Sequence, residues 1–171
     1  MRQITRPFLA GLLALTLAGC AGYSLGPTNG APAGSRSVGV VPFVNNTPEA
    51  RVSAYFNSSM RKQLQQDGTF RLRTAGAPDI QVSGEITRIV REPISYATND
   101  VLTPQEYRLT LVARAQARDL TTGKTNFNRS FQGQTFLRAG NDLPSSEREA
   151  MPMLTDDLAR NIVSSLVDGT W

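Results

Sequence analysis

The sequence contains no histidine, and its 171 residues include a single cysteine. Without histidine, imidazole metal ligands and the Ser–His and Cys–His pairs used by nucleophilic enzymes are all unavailable. The paired acidic residues Asp156–Asp157 and Glu147/Glu149 fall in a predicted helix, where they are typical of a solvated face. The sequence therefore predicts no metal site, no cofactor and no enzymatic activity.

The chain also carries little excess charge once its N-terminal segment is set aside. Removing Arg2 and Arg6 from the 18 basic residues leaves 16 against 14 acidic ones, a net charge of +2. This excess is too small to indicate a nucleic-acid-binding protein, which usually shows a strongly basic surface. A segment of about 150 residues is the usual size of one globular domain.

The first twenty residues have the layout of a secretory signal. Arg2 and Arg6 form a positive flank, and residues 7–18 are mostly apolar but too few to cross a bilayer core of about 30 Å as a helix. The signal ends on Leu17-Ala18-Gly19-Cys20 instead of an Ala-x-Ala site, which resembles the lipobox of bacterial lipoproteins. We therefore expect residues 1–19 to be cleaved and Cys20 to be lipidated, since several acyl chains on one residue anchor a protein almost permanently.

The residue after the cysteine predicts where the anchor is held. By resemblance to lipoprotein sorting, an aspartate there would indicate retention at the inner membrane, but the chain has Ala21. The expected location is the periplasmic face of the outer membrane. Residues 24–37 are rich in glycine, proline and serine, so residues 20–37 are expected to form the lipidated N-terminus and a flexible tether; residues 21–37 would span about 23 Å as a coil. This leaves residues 38–171 as a single periplasmic domain.

The hydrophobic pattern of that domain predicts an α+β fold. Strands are expected at 38–43, 70–74, 80–90, 105–119 and 125–137, and residues 92–103 as a long connection or an extended hairpin tip. One helix is expected to begin at Thr47-Pro48-Glu49, and a second near a Ser146/Glu149 capping box or at Pro152. We predict two amphipathic helices packed on one face of a mostly antiparallel sheet of four to five strands.

The strand at 105–119 has the clearest alternation. Residues 109, 111, 113, 115 and 117 are apolar, whereas Arg108, Arg114 and Arg118 point the other way. The apolar side is expected beneath the helices. The arginine side is therefore expected on a face that the helices leave uncovered.

With the lipobox, this layout resembles the LptE family, whose members are lipoprotein partners in the outer-membrane lipopolysaccharide translocon. The resemblance is carried by Cys20 with the following Gly22-Tyr23-Ser24-Leu25, and by segments 38–47, 105–111, 119–124 and 129–131. It implies a plug that sits inside an LptD-type β-barrel, helps it to assemble, and binds lipopolysaccharide. Arg108, Arg114 and Arg118 are then candidates to face the barrel.

The resemblance also implies a basic residue just after the last strand, before the C-terminal helix, that contributes to lipopolysaccharide binding. The nearest match is Arg138, counted on from residues 129–131, although the loop differs in length and composition. Arg91 is a second candidate on charge and position alone. Both could equally be solvated loop arginines.

A different class of protein remains an alternative. Outer-membrane lipoproteins that activate a peptidoglycan synthase share the opening pattern Val-Pro-Phe-x-Asn-x-Thr, present here at residues 41–47. Such activators need a long disordered tether to reach across the periplasm. The short tether predicted here favours the translocon plug.

Overall fold

The structure is a computed structural model, and it describes residues 32–98, 100–139 and 142–169. Cys20 and the expected signal peptide lie outside the described residues. Six strands and two helices follow one another along the described chain: β1 Ser37–Val40, β2 Val44–Asn45, α1 Val52–Asp67, β3 Arg71–Leu72, β4 Ile80–Ala97, β5 Asp100–Asp119, β6 Thr125–Arg138 and α2 Leu143–Val167.

The strands form one mixed sheet in the order β3-β1-β4-β5-β6. Strand β2 pairs with the same edge of β4 as β1 does, further along β4. Strands β4, β5 and β6 are long and antiparallel, whereas β1 and β2 run parallel to β4. The α+β class and the mostly antiparallel sheet are confirmed. The predicted strand number of four to five was too low, because β2 has only two residues and shows no readable alternation.

Both helices cover the same face of the sheet, as predicted, and one apolar core lies between the layers. Leu109 and Leu111 of β5 are at most 1% exposed, and they share this core with Val52, Phe56, Leu158 and Ile162. The core explains why these segments become helices and strands. In each helix the apolar residues recur every three to four positions, and in each strand every second position, so each element has one apolar face. The apolar face of the helices can be buried only against the apolar face of the sheet.

Helix α2 lies directly on β6, at the position of Gly133. A Cβ atom placed on Gly133 would lie 2.4 Å from the backbone nitrogen of Leu158 and 2.7 Å from the carbonyl oxygen of Leu154. Two side chains of the helix bind the edge of the strand on either side: Asp157 accepts the Gln134 N–H at 2.9 Å, and Asn161 donates to the Gln132 carbonyl at 2.8 Å. The helix thus covers part of an edge strand that would otherwise present unpaired backbone groups.

Residues 92–103 are an extended hairpin and not a loose connection. Strand β4 continues to Ala97, and β5 begins at Asp100, which accepts the N–H of Leu102 at 2.9 Å. The pairing register shifts around Ser95, two residues after Pro93. A proline has no N–H to donate to a ladder, so it made this part of the sequence resemble a loop.

The observed helix starts and the domain start differ from the predicted ones. Thr47 begins a turn and not a helix, because Asn45 accepts its N–H and hydroxyl at 3.0 and 2.7 Å. Helix α2 begins before the expected capping box, with Pro144 in its first turn. At the N-terminus, β1 already includes Ser37, and Gly34 donates its N–H to Thr69 at 3.0 Å, so the packed domain begins inside the expected tether.

The open sheet face as candidate functional site

The face of the sheet opposite the helices, called the open face from here on, carries the arginines that the sequence predicts there. Arg114 and Arg118 are exposed and Arg108 is half-buried, while the alternating apolar residues 109, 111, 113, 115 and 117 are buried beneath the helices. Strand β6 alternates in the same way, with Phe127, Phe131 and Leu137 buried and the intervening residues mostly exposed. The open face is therefore a polar surface held by three rigid antiparallel strands.

Arg108 is largely compensated by its own neighbours. Its Nη1 lies 3.6 Å from the Glu92 carboxylate, directly across on β4, and its guanidinium carbon lies 5.6 Å from the centre of the Phe136 ring on β6. Its Nε is buried without a partner within the described structure. Arg108 thus bridges a carboxylate and an aromatic ring across the three strands.

Arg114 has a neutral partner instead. Its Nε donates to the Asn128 Oδ1 at 3.1 Å. Glu85 lies directly across on β4, but its carboxylate accepts a hydrogen bond from Asn46 at 2.9 Å. A shallow trough surrounds Arg114, lined by Val44, Ser83, Glu85, Gln116 and Asn128.

Arg88 joins this face, and the alternation of β4 would have hidden it. Ile80, Val82 and Ile86 are buried, so a regular strand would place residue 88 in the core as well. A β-bulge between Ile86 and Arg88 moves the alternation by one residue, and Arg88 pairs with Val112 as an exposed side chain. The sequence signal is the switch to Ile89 and Val90, which is typical of either a bulge or a strand end and does not show where Arg88 points.

Arg118 and Arg88 share one property. Within the described parts of the chain, neither forms an ion pair with a carboxylate. Arg118 lies across from Gln81 on β4 and Thr125 on β6, and both neighbours are uncharged. Both guanidinium groups thus lack an ion-pair partner among the described carboxylates.

Arg138 lies at the other end of the open face, at the last residue of β6. Its side chain is 81% exposed, and its single described contact is with the Glu106 Oε1 at 3.2 Å. Phe136, two residues earlier on the same face, is 62% exposed. The β4–β5 hairpin extends past this point and exposes Ile94, Tyr96 and Leu102.

Arg91, the second candidate for ligand binding, is held differently. It lies across from the buried Leu109 and therefore on the helix side of the sheet, where its Nε and Nη2 donate to both oxygens of Glu147 at 2.5 and 2.9 Å. This hydrogen bonding raises the pKa of Arg91 above its ordinary value, against the opposing effect of burial. Arg91 thus joins β4 to helix α2, and the fold places it and Arg138 on opposite faces.

One further ion pair lies at the far end of the sheet. Arg36 Nη2 lies 2.6 Å from Asp119, a carboxylate that is 5% exposed at the β5–β6 turn. Burial alone would raise the pKa of Asp119, but hydrogen bonds from Arg36 and from the N–H groups of Thr122 and Thr121 lower it to about 2. This pair ties the start of the domain to the turn, and its tight partners indicate a structural role.

The described residues show no cluster of three or more histidine, cysteine, aspartate or glutamate side chains placed to bind a metal ion. Neither helix in the described ranges is both long and apolar enough to span a membrane. What the domain offers is a broad polar sheet face with arginines at both ends. Such a face suits binding to another molecule.

Several solved structures of bacterial proteins share the fold of this chain. A Xanthomonas campestris protein of the DUF330 family aligns with a TM-score of 0.60 at 10% identity, covering 84% of this chain and 90% of that chain. A minor lipoprotein from Acinetobacter baumannii gives 0.51 at 16% identity over 77% and 92%. Rare lipoprotein B from Shewanella oneidensis gives 0.50 at 12% identity over 75% and 92%. The fold is thus one found in small α+β domains of bacterial lipoproteins.

The family itself follows from the sequence match. Residues 35–166 match the family described as LptE, lipopolysaccharide-assembly, which is most of the chain. The chain belongs to the LptE family, a non-enzymatic lipoprotein family, as its sequence resemblance predicted. No curated protein matches the chain.

Proposed function

We propose that this protein is an outer-membrane lipoprotein that plugs an LptD-type β-barrel, helps the barrel to assemble, and binds lipopolysaccharide during its delivery to the cell surface. The observation that carries the proposal is the family match over residues 35–166, which spans every strand and nearly all of helix α2. The open face supports it physically. A polar sheet surface suits the polar interior of a large barrel better than it suits a lipid-facing position.

The barrel contact is tested by crosslinking from matched positions. Ser130 lies on the open face and Ser164 on the outer side of α2, and both are exposed serines. A photoreactive amino acid at residue 130 is expected to crosslink to the barrel in outer membranes, and the same group at residue 164 much less. Equal crosslinking from both positions, or none from residue 130, would contradict the proposed orientation.

The lipid anchor at Cys20 is part of the same proposal. Mass spectrometry of protein extracted from membranes is expected to show an acylated Cys20 as the first residue. Cys20→Ser is expected to give an unlipidated or unprocessed form. An unmodified thiol at Cys20 in the native protein would refute the anchor while leaving the barrel contact testable.

Arg138 is the residue we propose for lipopolysaccharide binding. It is the most exposed of the ion-paired arginines, it is held by one long contact to Glu106, and an exposed aromatic ring lies beside it. A guanidinium that binds a phosphate through charge-assisted hydrogen bonds contributes about 1.5–3 kcal/mol. Arg138→Asp is therefore expected to weaken lipopolysaccharide binding about tenfold or more, with the melting temperature almost unchanged.

Arg160→Asp is the matched control, since Arg160 is also an exposed arginine with one ion pair but lies on helix α2. It is expected to leave lipopolysaccharide binding unchanged. Equal losses from both substitutions would indicate a general charge effect. Unchanged binding in Arg138→Asp would place the site elsewhere. Arg91 would then be the next residue to test, with the effect of losing its ion pair with Glu147 measured separately.

The alternative of a peptidoglycan-synthase activator receives no support from the family match. Copurification from outer membranes separates the two functions. A coeluting β-barrel supports the plug, whereas a coeluting inner-membrane synthase would support the activator.

A further inference from the structure

We propose that Arg88, Arg114 and Arg118 form a docking surface for a carboxylate-bearing protein surface on the partner. We call these three residues the arginine column. The proposal rests on the proposed barrel-plugging function and adds the chemistry of the contact. It differs from the sequence prediction, which grouped Arg114 and Arg118 with Arg108.

The sheet register sets the geometry of the arginine column. Arg114 and Arg118 are four residues apart on β5, about 13 Å at the rise of a β-strand. Arg88 pairs with Val112, so its Cα lies about 8 Å from that of Arg114, one strand over and two residues along. All three guanidinium groups project from hydrogen-bonded strands, so the spacing of their Cα atoms is fixed before any partner binds.

Charge is what separates the arginine column from the rest of the open face. Arg108 and Arg138 have carboxylates at 3.6 and 3.2 Å, whereas no described carboxylate forms an ion pair with any member of the column. Glu85, directly across from Arg114 on β4, keeps its negative charge, but it accepts a hydrogen bond from the neutral Asn46 amide and forms no ion pair with Arg114. The Cα atoms of Arg88 and Arg114 are separated by a distance close to the screening length of about 8 Å at physiological salt. Repulsion between these two charged side chains is therefore only partly screened.

A carboxylate-bearing protein surface relieves this repulsion and fits the spacing. Side chains on one face of a strand emerge every two residues, and 13 Å corresponds to two such repeats. A partner strand lying along β5 can therefore present a carboxylate to each of Arg114 and Arg118, and carboxylates match the planar guanidinium. Exposed apolar side chains lie toward the hairpin end of the open face, namely Ile94, Tyr96, Leu102 and Phe136. An amphiphilic ligand would therefore find more apolar contacts there than at the arginine column.

The test replaces the arginine column by glutamine in the full chain, as the triple variant Arg88→Gln, Arg114→Gln, Arg118→Gln. The control triple, Arg51→Gln, Arg61→Gln, Arg160→Gln, removes the same charge from exposed residues of the helix layer. Binding to the purified LptD-type barrel in detergent is measured at low and at high ionic strength. Binding to vesicles containing lipopolysaccharide is measured in parallel, and melting temperatures confirm folding.

We expect the arginine-column triple to bind the barrel about tenfold more weakly at low ionic strength, since each exposed ion pair contributes modestly and mainly raises the association rate. The difference should shrink at high ionic strength, and the control triple should bind like the unsubstituted chain. Equal affinity of both triples would overturn the inference, as would a loss confined to the lipopolysaccharide vesicles. An unsubstituted chain that does not bind the barrel would instead refute the proposed function itself.

Discussion

Gly133 sets the distance between helix α2 and strand β6, and Gly133→Ala tests that role. The new Cβ would lie 2.4 Å from the Leu158 nitrogen, whereas ordinary contacts begin at 3.4 Å. The helix and the strand must therefore separate by about 1 Å at this point. The atoms in the way belong to the helix backbone, so no side-chain rotation can relieve the contact.

The cost follows from what holds the two elements together. Overpacking a well-packed contact costs about 1–3 kcal/mol. The separation also stretches the hydrogen bonds from Asp157 and Asn161 to β6, and each such bond contributes about 0.5–1.5 kcal/mol. We therefore expect Gly133→Ala to lower the free energy of unfolding by about 2–4 kcal/mol and the melting temperature by about 5–15 °C.

Urea denaturation of the domain measures the effect, and Gln132→Ala is the control. Gln132 is an exposed neighbour in the same strand, and the hydrogen bond that it accepts from Asn161 uses its backbone. Its substitution should change stability by no more than about 0.5 kcal/mol. If Gly133→Ala were as mild as this control, the close approach of α2 and β6 would not be a constraint on the fold.

Three further predictions concern the core, the Arg91 pair and the buried carboxylate. Leu111→Ala should cost about 2–5 kcal/mol of unfolding free energy and Arg114→Ala about 0.5 or less, because only Leu111 is buried; equal losses would reverse the assigned faces. Arg91→Ala and Glu147→Gln should each lower the free energy of unfolding by about 1–2 kcal/mol, and a double-mutant cycle should show that the two effects are coupled. Arg138→Ala should leave the free energy of unfolding unchanged. The depressed pKa of Asp119 stabilises the folded state above pH 3.8, and this stabilisation is lost as the pH falls toward 2, so acid titration of stability should be less steep in Asp119→Asn.

Several features of this protein could be predicted from the sequence because each depends on neighbouring residues. The alternation of β5 separates Leu109 and Leu111 from the arginines, and the structure confirms that separation. Asp119-Leu-Thr-Thr-Gly123 is a pattern typical of a hairpin loop with a glycine in the left-handed region, and Gly123 has a φ of 76°. The family resemblance was equally accessible, since its motifs are short segments whose order and spacing are visible in the chain.

The strand pairing could not be read from the sequence because it joins distant segments. The parallel pairing of β1 and β2 with β4 depends on how helix α1 carries the chain back across the sheet. Strand β2 is too short to have a pattern, and Pro93 left the choice between a long connection and an extended hairpin open at residues 92–103.

The candidate site shows the same division between sequence and structure. The side of β5 that bears arginines follows from the amino-acid sequence alone, because alternation is a property of a single strand. Which arginines form ion pairs depends on the packed fold. Arg91 pairs with a carboxylate 56 residues away on another element, Arg108 with one on the neighbouring strand, and a bulge turns Arg88 outward. Ion pairs depend on distances of a few ångströms between elements, and those distances are set only when the core packs.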